Sequence, residues 1–207
     1  AVREEIAGAL HLGHSEGVVE KEDRDRILGA LDLSDRFVEE IMLHRSRIEM
    51  IDAEIAHANN RQMSMTLSDP FCVDRHRDDF RKLVKELDYV IGNEHEWKSL
   101  YQTDDLSLAL ETAAGDSGLI VCTRSGHDVV LVRGSEQASA PVKEITPVDA
   151  TGAGDQFAAG FLYGLATGAD LATSGRMGCV AAAEVISHYG ARPETDLKAL
   201  FRAEGLI

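Results

Sequence analysis

Apolar positions change their period along the chain. In the first quarter they recur at helical spacing: Ile6 and Leu10 share one side of residues 4–12, and Ile27, Leu28 and Leu31 follow the charged run Glu20–Arg26. Ser34 reads as the N-cap of a further helix bearing Phe37, Val38, Ile41 and Met42. From residue 53 onward short apolar runs alternate with helical stripes. A helix ends at Ala56–Arg61 and a strand spans Met63–Leu67. The stripe Phe80, Leu83, Val84 and Leu87 predicts a helix over 79–87, and Tyr89–Gly92 a buried strand. A helix over 106–114 precedes strands at 118–122 and 128–132, an edge strand at 138–145, and two closing helices, the second over 176–188. The alternation predicts an α/β fold: a helical segment over 1–52, then 53–207 with a partial, mostly parallel sheet flanked by helices.

The stretch Val148-Asp149-Ala150-Thr151-Gly152-Ala153-Gly154-Asp155 stands directly ahead of the stripe Phe157, Ala158, Phe161, Leu162 and Leu165. Glycines at 152 and 154 permit a tight turn whose backbone N–H groups point at a ligand. A helix N-terminus adds free donors and partial positive charge, which suit a phosphate or another developing anion. Asp155 projects a carboxylate from the same turn. One group can then take a hydroxyl proton while the cradle steadies a transferring phosphoryl. Taken alone, G-x-G-D also reads as a left-handed turn with Asp155 as a helix cap.

Other polar residues follow strand ends, where open α/β sheets hold ligands. Asn93 and Glu96 offer an amide and a carboxylate oxygen suited to Mg²⁺; the alternative is a capping box with Glu at the third helical position. Thr123-Arg124-Ser125-Gly126 turns between two strands. Asp69-Pro70 reads as a turn and 74–77 as a solvated helix start. His11 and His14 flank Gly13 and read as exposed loop residues rather than metal ligands.

Bulk properties narrow the class. A net charge of −15 argues against a nucleic-acid surface and against anionic lipid, yet leaves ATP open, since a local cradle can hold phosphates in an acidic protein. Cys72, Cys122 and Cys179 are widely spaced and odd in number, which suits reduced thiols in a cytoplasmic protein rather than a disulfide frame or zinc site. No apolar run reaches membrane-spanning length and no signal peptide opens the chain, which starts at Ala1 without an initiator Met, as a fragment or a processed chain would.

Asp-Ala-Thr-Gly-Ala-Gly-Asp followed by a small and aromatic helix resembles the C-terminal signature of the ribokinase/PfkB family of sugar and nucleoside kinases, and Ser68–Arg77 is similar to a loop of its adenosine-kinase-like members. The resemblance runs from about residue 54 to the end. It implies Asp155 as general base and Gly152, Ala153 and Gly154 as the anion hole. Asn93 and Glu96 would serve the magnesium–phosphate network, and Thr123, Ser125 and Gly126 would lie near ATP, a role that competes with that of a simple hairpin. Cys179 stands where many members carry Asn beside the adenine. The loop Tyr189–Pro193 would hold a monovalent cation, K⁺, against the carbonyls around Asp149 and Thr151. Residues 16–45 are similar instead to the start of the cytosolic part of CorC/hemolysin-C-like CBS-domain proteins.

The resemblance implies ATP-dependent phosphorylation of a sugar or nucleoside hydroxyl, with a small-molecule acceptor, no nucleic acid, no membrane, and a homodimer allowed. Family members are longer, and their N-terminal half supplies the contacts to sugar hydroxyls. Little or no turnover by this chain alone is therefore expected, because positioning supplies much of the catalysis in phosphoryl transfer. A non-catalytic nucleotide- or partner-binding module is the alternative, and a cytosolic fragment of an ion-transport protein a third.

Overall fold

The computed structural model describes residues 2–33 and 52–207, and the chain divides into two units, Ala1–Met50 and Ile51–Ile207. In the first, α1 (Val2–Ser15) and α2 (Lys21–Leu33) are joined through Gly17. The Val18 and Val19 amides return to the Gly13 carbonyl, and His14 Nδ1 lies 3.0 Å from the Val19 carbonyl. The two histidines expected in a loop belong to α1, and His14 helps to close its C-terminal end. Ser34, Phe37, Val38, Ile41 and Met42, with much of the CorC-like stretch, lie outside the described residues.

The second unit runs α3 (Ala53–Ala58), β1 (Ser64–Thr66), α4 (Pro70–Arg75), α5 (Arg77–Val84), β2 (Tyr89–Asn93), α6 (Glu94–Tyr101), α7 (Leu106–Asp116), β3 (Leu119–Arg124), β4 (His127–Arg133), β5 (Glu136–Ala140), α8 (Ala153–Ala166), α9 (Leu171–Val185) and α10 (Leu197–Ala203). The strands form one sheet in the order β1-β2-β3-β4-β5. It is parallel from β1 to β3 and antiparallel from β3 to β5. No described helix is long and apolar enough to cross a membrane.

The continuous apolar runs of β2 and β3 arise because both faces of the sheet are covered. Successive residues point to opposite sides. Val90, Ile120, Cys122 and Val132 join Val73, Val84, Trp97, Leu100 and Ala113, from α4–α7, in one core. Ile91, Leu119, Val121 and Leu131 join Phe157, Phe161, Leu171 and Cys179, from α8 and α9, in the other. Trp97 is fully buried, and its indole N–H donates to the Val121 carbonyl at 3.0 Å. Both halves of this amphipathic side chain are thereby satisfied.

Several boundaries differ from the expected ones, among them that of the helix expected over 79–87, which is α5, and three of the shifts have a plain local cause. Asp69 caps α4 by accepting from Cys72 N at 2.9 Å, and Pro70 is the first helical residue, where its missing N–H costs nothing. The edge strand ends at Ala140 because Pro141 cannot donate to the ladder, so 141–147 runs as an irregular strap. Asp170 starts α9 five residues ahead of the expected point, accepting from Thr173 N at 2.6 Å. The close packing of α8 on α9, expected from the small residues 179–183, rests also on glycines. A Cβ on Gly160 would lie 2.6 Å from the Met177 carbonyl oxygen, and one on Gly164 2.8 Å from Ser174 Cα.

Candidate active site

The carboxyl ends of β2 and β3 lie side by side, with Asn93 in register with Thr123. Asn93 caps α6. Its Oδ1 accepts from Glu96 N at 2.9 Å, while the backbone N and Nδ2 of Asn93 donate to the two Glu96 carboxylate oxygens at 2.7 Å each. Gly92 leaves room for that carboxylate, since a Cβ there would come 3.2 Å from Glu96 Oε2. Glu96 is 5% exposed, and burial pushes its carboxyl above the usual range, against the pull of the Asn93 N–H. The capping-box reading of Asn-x-x-Glu is thus present in full.

Gly152 is the N-cap of α8, with φ at +80° and no side chain to close the helix end. A Cβ there would sit 2.8 Å from Ala191 Cβ, so left-handed backbone and close approach both demand glycine. Ala153 N–H turns back to the Ala150 carbonyl and Gln156 N–H to the Gly152 carbonyl. The N–H groups of Gly154 and Asp155 between them take no partner among the described residues. Of the three residues expected to form the anion hole, Gly154 keeps a free amide, whereas the Ala153 N–H is already engaged. Asp155 is exposed in the same first turn.

Asp149 fastens this turn from behind. One carboxylate oxygen accepts from Thr151 Oγ1 at 2.7 Å and Thr151 N at 2.9 Å, and the other from Gly190 N at 3.1 Å. These hydrogen bonds, the Thr151 hydroxyl's foremost, hold its carboxyl below the usual range. Val148 N–H donates to the Ile186 carbonyl at 2.8 Å, and Gln156 Nε2 to the Ala191 carbonyl at 3.4 Å. Residues 148–156 and 186–191 therefore hold one another in place.

The β3–β4 hairpin turns through Ser125 and Gly126, with φ of +38° and +91°, a two-residue turn whose twist matches the flanking strands. The register against β4 shifts between Cys122 and Arg124, which puts Thr123 at the irregularity. Beyond it lies a cavity of about 430 Å³ whose walls include Thr123, Ser125, Gly126, Ala153, Gly154 and Cys179. Six of the sequence-predicted residues thus meet around one space. Gly152 and Asp155 flank its Ala153-Gly154 wall, Asn93 borders Thr123, and Asp149 and Thr151 sit in the supporting turn; none of these, nor Glu96, lines it.

The cavity also has walls that sequence reasoning missed: Arg124, Lys143 and Phe157. Arg124 Nε is buried without a hydrogen-bond partner, an orphaned donor beside a space sized for a ligand. A cation directly after a buried strand was its only trace in the sequence. Burial pushes the Cys179 thiol up to about 11, so it is a protonated wall and not a nucleophile.

Residues 36–197 match the family described as pfkB family carbohydrate kinase. Over 152 residues the chain is 32% identical to adenosine kinase 1 of Arabidopsis thaliana, covering 66% of this chain and 44% of that one. Among solved structures, the "probable sugar kinase protein" of Rhizobium etli CFN 42 matches at 46% identity with a TM-score of 0.73, over 75% of this chain and 48% of that one. The adenosine kinase of Sinorhizobium meliloti matches at 41% and 0.71, over 73% and 47%. The chain thus spans about half the length of these relatives. It belongs to the pfkB family of carbohydrate kinases, whose members use ATP, usually with Mg²⁺.

Proposed function

We propose that this protein takes part, in the cytoplasm, in ATP-dependent phosphorylation of a hydroxyl on a nucleoside or sugar of the adenosine/ribose class. The observation that carries the reading is the 430 Å³ cavity, which gathers the hairpin turn, the Ala153-Gly154 wall and Cys179 beside the free amides at the start of α8. The base of the nucleotide would lie toward Cys179 and Phe157. Its phosphates would lie toward the hairpin turn and the helix N-terminus, where Arg124 adds positive charge. In the Gly152-Ala153-Gly154 turn the free Gly154 amide would stabilise charge developing on the transferring phosphoryl, with Gly152 and Ala153 setting the shape of the turn, and Asp155 would take the proton of the acceptor hydroxyl. Relatives that include an adenosine kinase at 41% identity support the acceptor class.

Mg²⁺ requires oxygen donors and keeps several waters. Asn93 and Glu96 already bond one another through every side-chain oxygen, each of which retains a lone pair, so the pair fits the water shell of the ion better than direct ligation. Bound there, the ion would neutralise charge on the phosphates. The Asp149–Gly190 hydrogen bond brings backbone from both segments together, which supports a K⁺ site built from their carbonyls.

Titration calorimetry of the chain with Mg-ATP, followed by ADP measurement with adenosine or ribose added, tests the reading. Saturable binding that Arg124→Gln weakens is expected; no binding at all would sink it. Binding without ADP would favour a nucleotide-binding role without turnover for this chain, a second reading supported by its covering only half of its relatives' length.

A further inference from the structure

The strap at 141–147 is a wall with a cavity on each side. Val142, Lys143 and Ile145 line both, as do Cys179 and Ala183 of α9. The second cavity, of about 560 Å³, is floored by the α9 face that carries Arg176, Val180 and Ala183, positions three or four residues apart, continued by Ser187 just past the helix, and is closed by Leu200 and Glu204. Pro141, Val142, Ile145, Val180, Ala183 and Leu200 make its interior largely apolar.

Its charges are unbalanced. Arg77, Lys98 and Arg133 each pair with a carboxylate. Lys143 and Arg176 make no ion pair among the described residues, and both line this hollow in a chain of net charge −15. Of the two acidic residues in the lining, Glu184 is already engaged: one oxygen accepts from the Glu194 and Thr195 amides and the other faces His188 at 3.4 Å. Glu204 is the one carboxylate left over in the lining. Two unpaired cations over an apolar floor, against a single free anion, select a ligand with an apolar body and one negative charge.

We propose that this cavity is a second small-molecule site, for an apolar monoanion such as an aromatic carboxylate or sulfonate, with its charge on Arg176 and Lys143. Because the strap is common to both cavities, occupancy here alters affinity for the ligand of the other, and reciprocally. That coupling rests on the nucleotide reading of the neighbouring cavity; the binding itself does not.

The test uses the full chain and 8-anilinonaphthalene-1-sulfonate as probe, followed by fluorescence. One saturable site is expected. Arg176→Glu, an exposed change, weakens it by about tenfold or more, whereas Glu204→Gln tightens it. Val180→Trp fills the hollow and abolishes binding, with the thermal melt of each variant checking its fold. Absence of saturable binding, or binding indifferent to both Arg176→Glu and Glu204→Gln, overturns the proposal. So does displacement of the probe by Mg-ATP with Arg176→Glu silent, which would put the probe in the other cavity. Mg-ATP is then titrated with and without probe. An unchanged ATP affinity removes the coupling and leaves the site, whereas no ATP binding in either titration speaks against the nucleotide reading alone.

Discussion

The Gly190 amide donates to the Asp149 carboxylate at 3.1 Å, across 41 residues of chain. The bond ties the turn that begins the candidate anion cradle to the loop that follows α9. Asp149 also accepts twice from Thr151, so a single carboxylate sets the shape of the turn and its attachment.

Asp149→Asn keeps an acceptor for Thr151 but turns an amide toward Gly190 N–H. Lower thermal stability and weaker nucleotide binding are expected at neutral pH. The sign of the pH dependence follows from the depressed carboxyl. A group with a lowered folded pKa contributes its stability above its unfolded value, about 3.9 for Asp, and loses it as pH falls through the folded value. Melting curves of wild type and variant should therefore converge in acid. A difference that persists unchanged into strong acid would show that Asp149 acts through packing instead.

Gly152→Ala tests the turn itself. The left-handed φ of +80° and the approach of Ala191 to 2.8 Å both oppose a Cβ. A loss of about 1–3 kcal/mol in denaturant unfolding is expected, with loss of nucleotide binding. Adding Ala191→Gly relieves the steric part and leaves the backbone part, so the double variant should recover only a fraction. Full recovery would remove the backbone argument.

Local chemistry explains what could be read ahead of the fold. The glycines and Asp155 of 152–155, the cap at Asn93 and the unbroken apolar runs Tyr89–Gly92 and Leu119–Cys122 all act within a few residues of themselves. Features that depend on a distant partner left no such mark. Gly160 is required by the Met177 carbonyl of a neighbouring helix. Asp149 needs Gly190, and Arg124 and Lys143 gain meaning only once the hairpin and the strap face α8. The apolar pattern of an edge strand runs on through Val142 and Ile145, but Pro141 interrupts the ladder, so β5 ends at Ala140. Thr123, Ser125 and Gly126 form both the hairpin and a cavity wall, so being a hairpin does not rule out a ligand-binding role for that turn.

Asp155→Asn separates base from cradle. The variant keeps the helix start and its free amides but cannot take a proton. In an assay where the protein forms ADP with adenosine or ribose, turnover should fall by about 10²–10⁴-fold while Mg-ATP affinity is retained. Turnover near the wild-type level would remove Asp155 as base, and lost ATP affinity would give it a binding role instead.

Glu96→Gln places two effects against each other. The carboxylate accepts from both N–H groups of Asn93, and Gln would offer one oxygen and set an amide against the second donor. Loss of that part of the cap costs about 0.5–2 kcal/mol. Burial opposes the charged form of Glu96, and the substitution removes that penalty. We expect the cap to dominate, since an unpartnered buried N–H costs about 1–3 kcal/mol, and the variant to be less stable by about 1 kcal/mol at neutral pH. A carboxyl whose folded pKa is raised stabilises most in acid, and its contribution declines as pH climbs from the unfolded value, about 4.3, through the folded one. The stability gap between wild type and variant, read from urea unfolding at a series of pH values, should therefore widen toward acid. A gap that narrows instead would mean that the Asn93 hydrogen bonds outweigh burial and that Glu96 is held ionised.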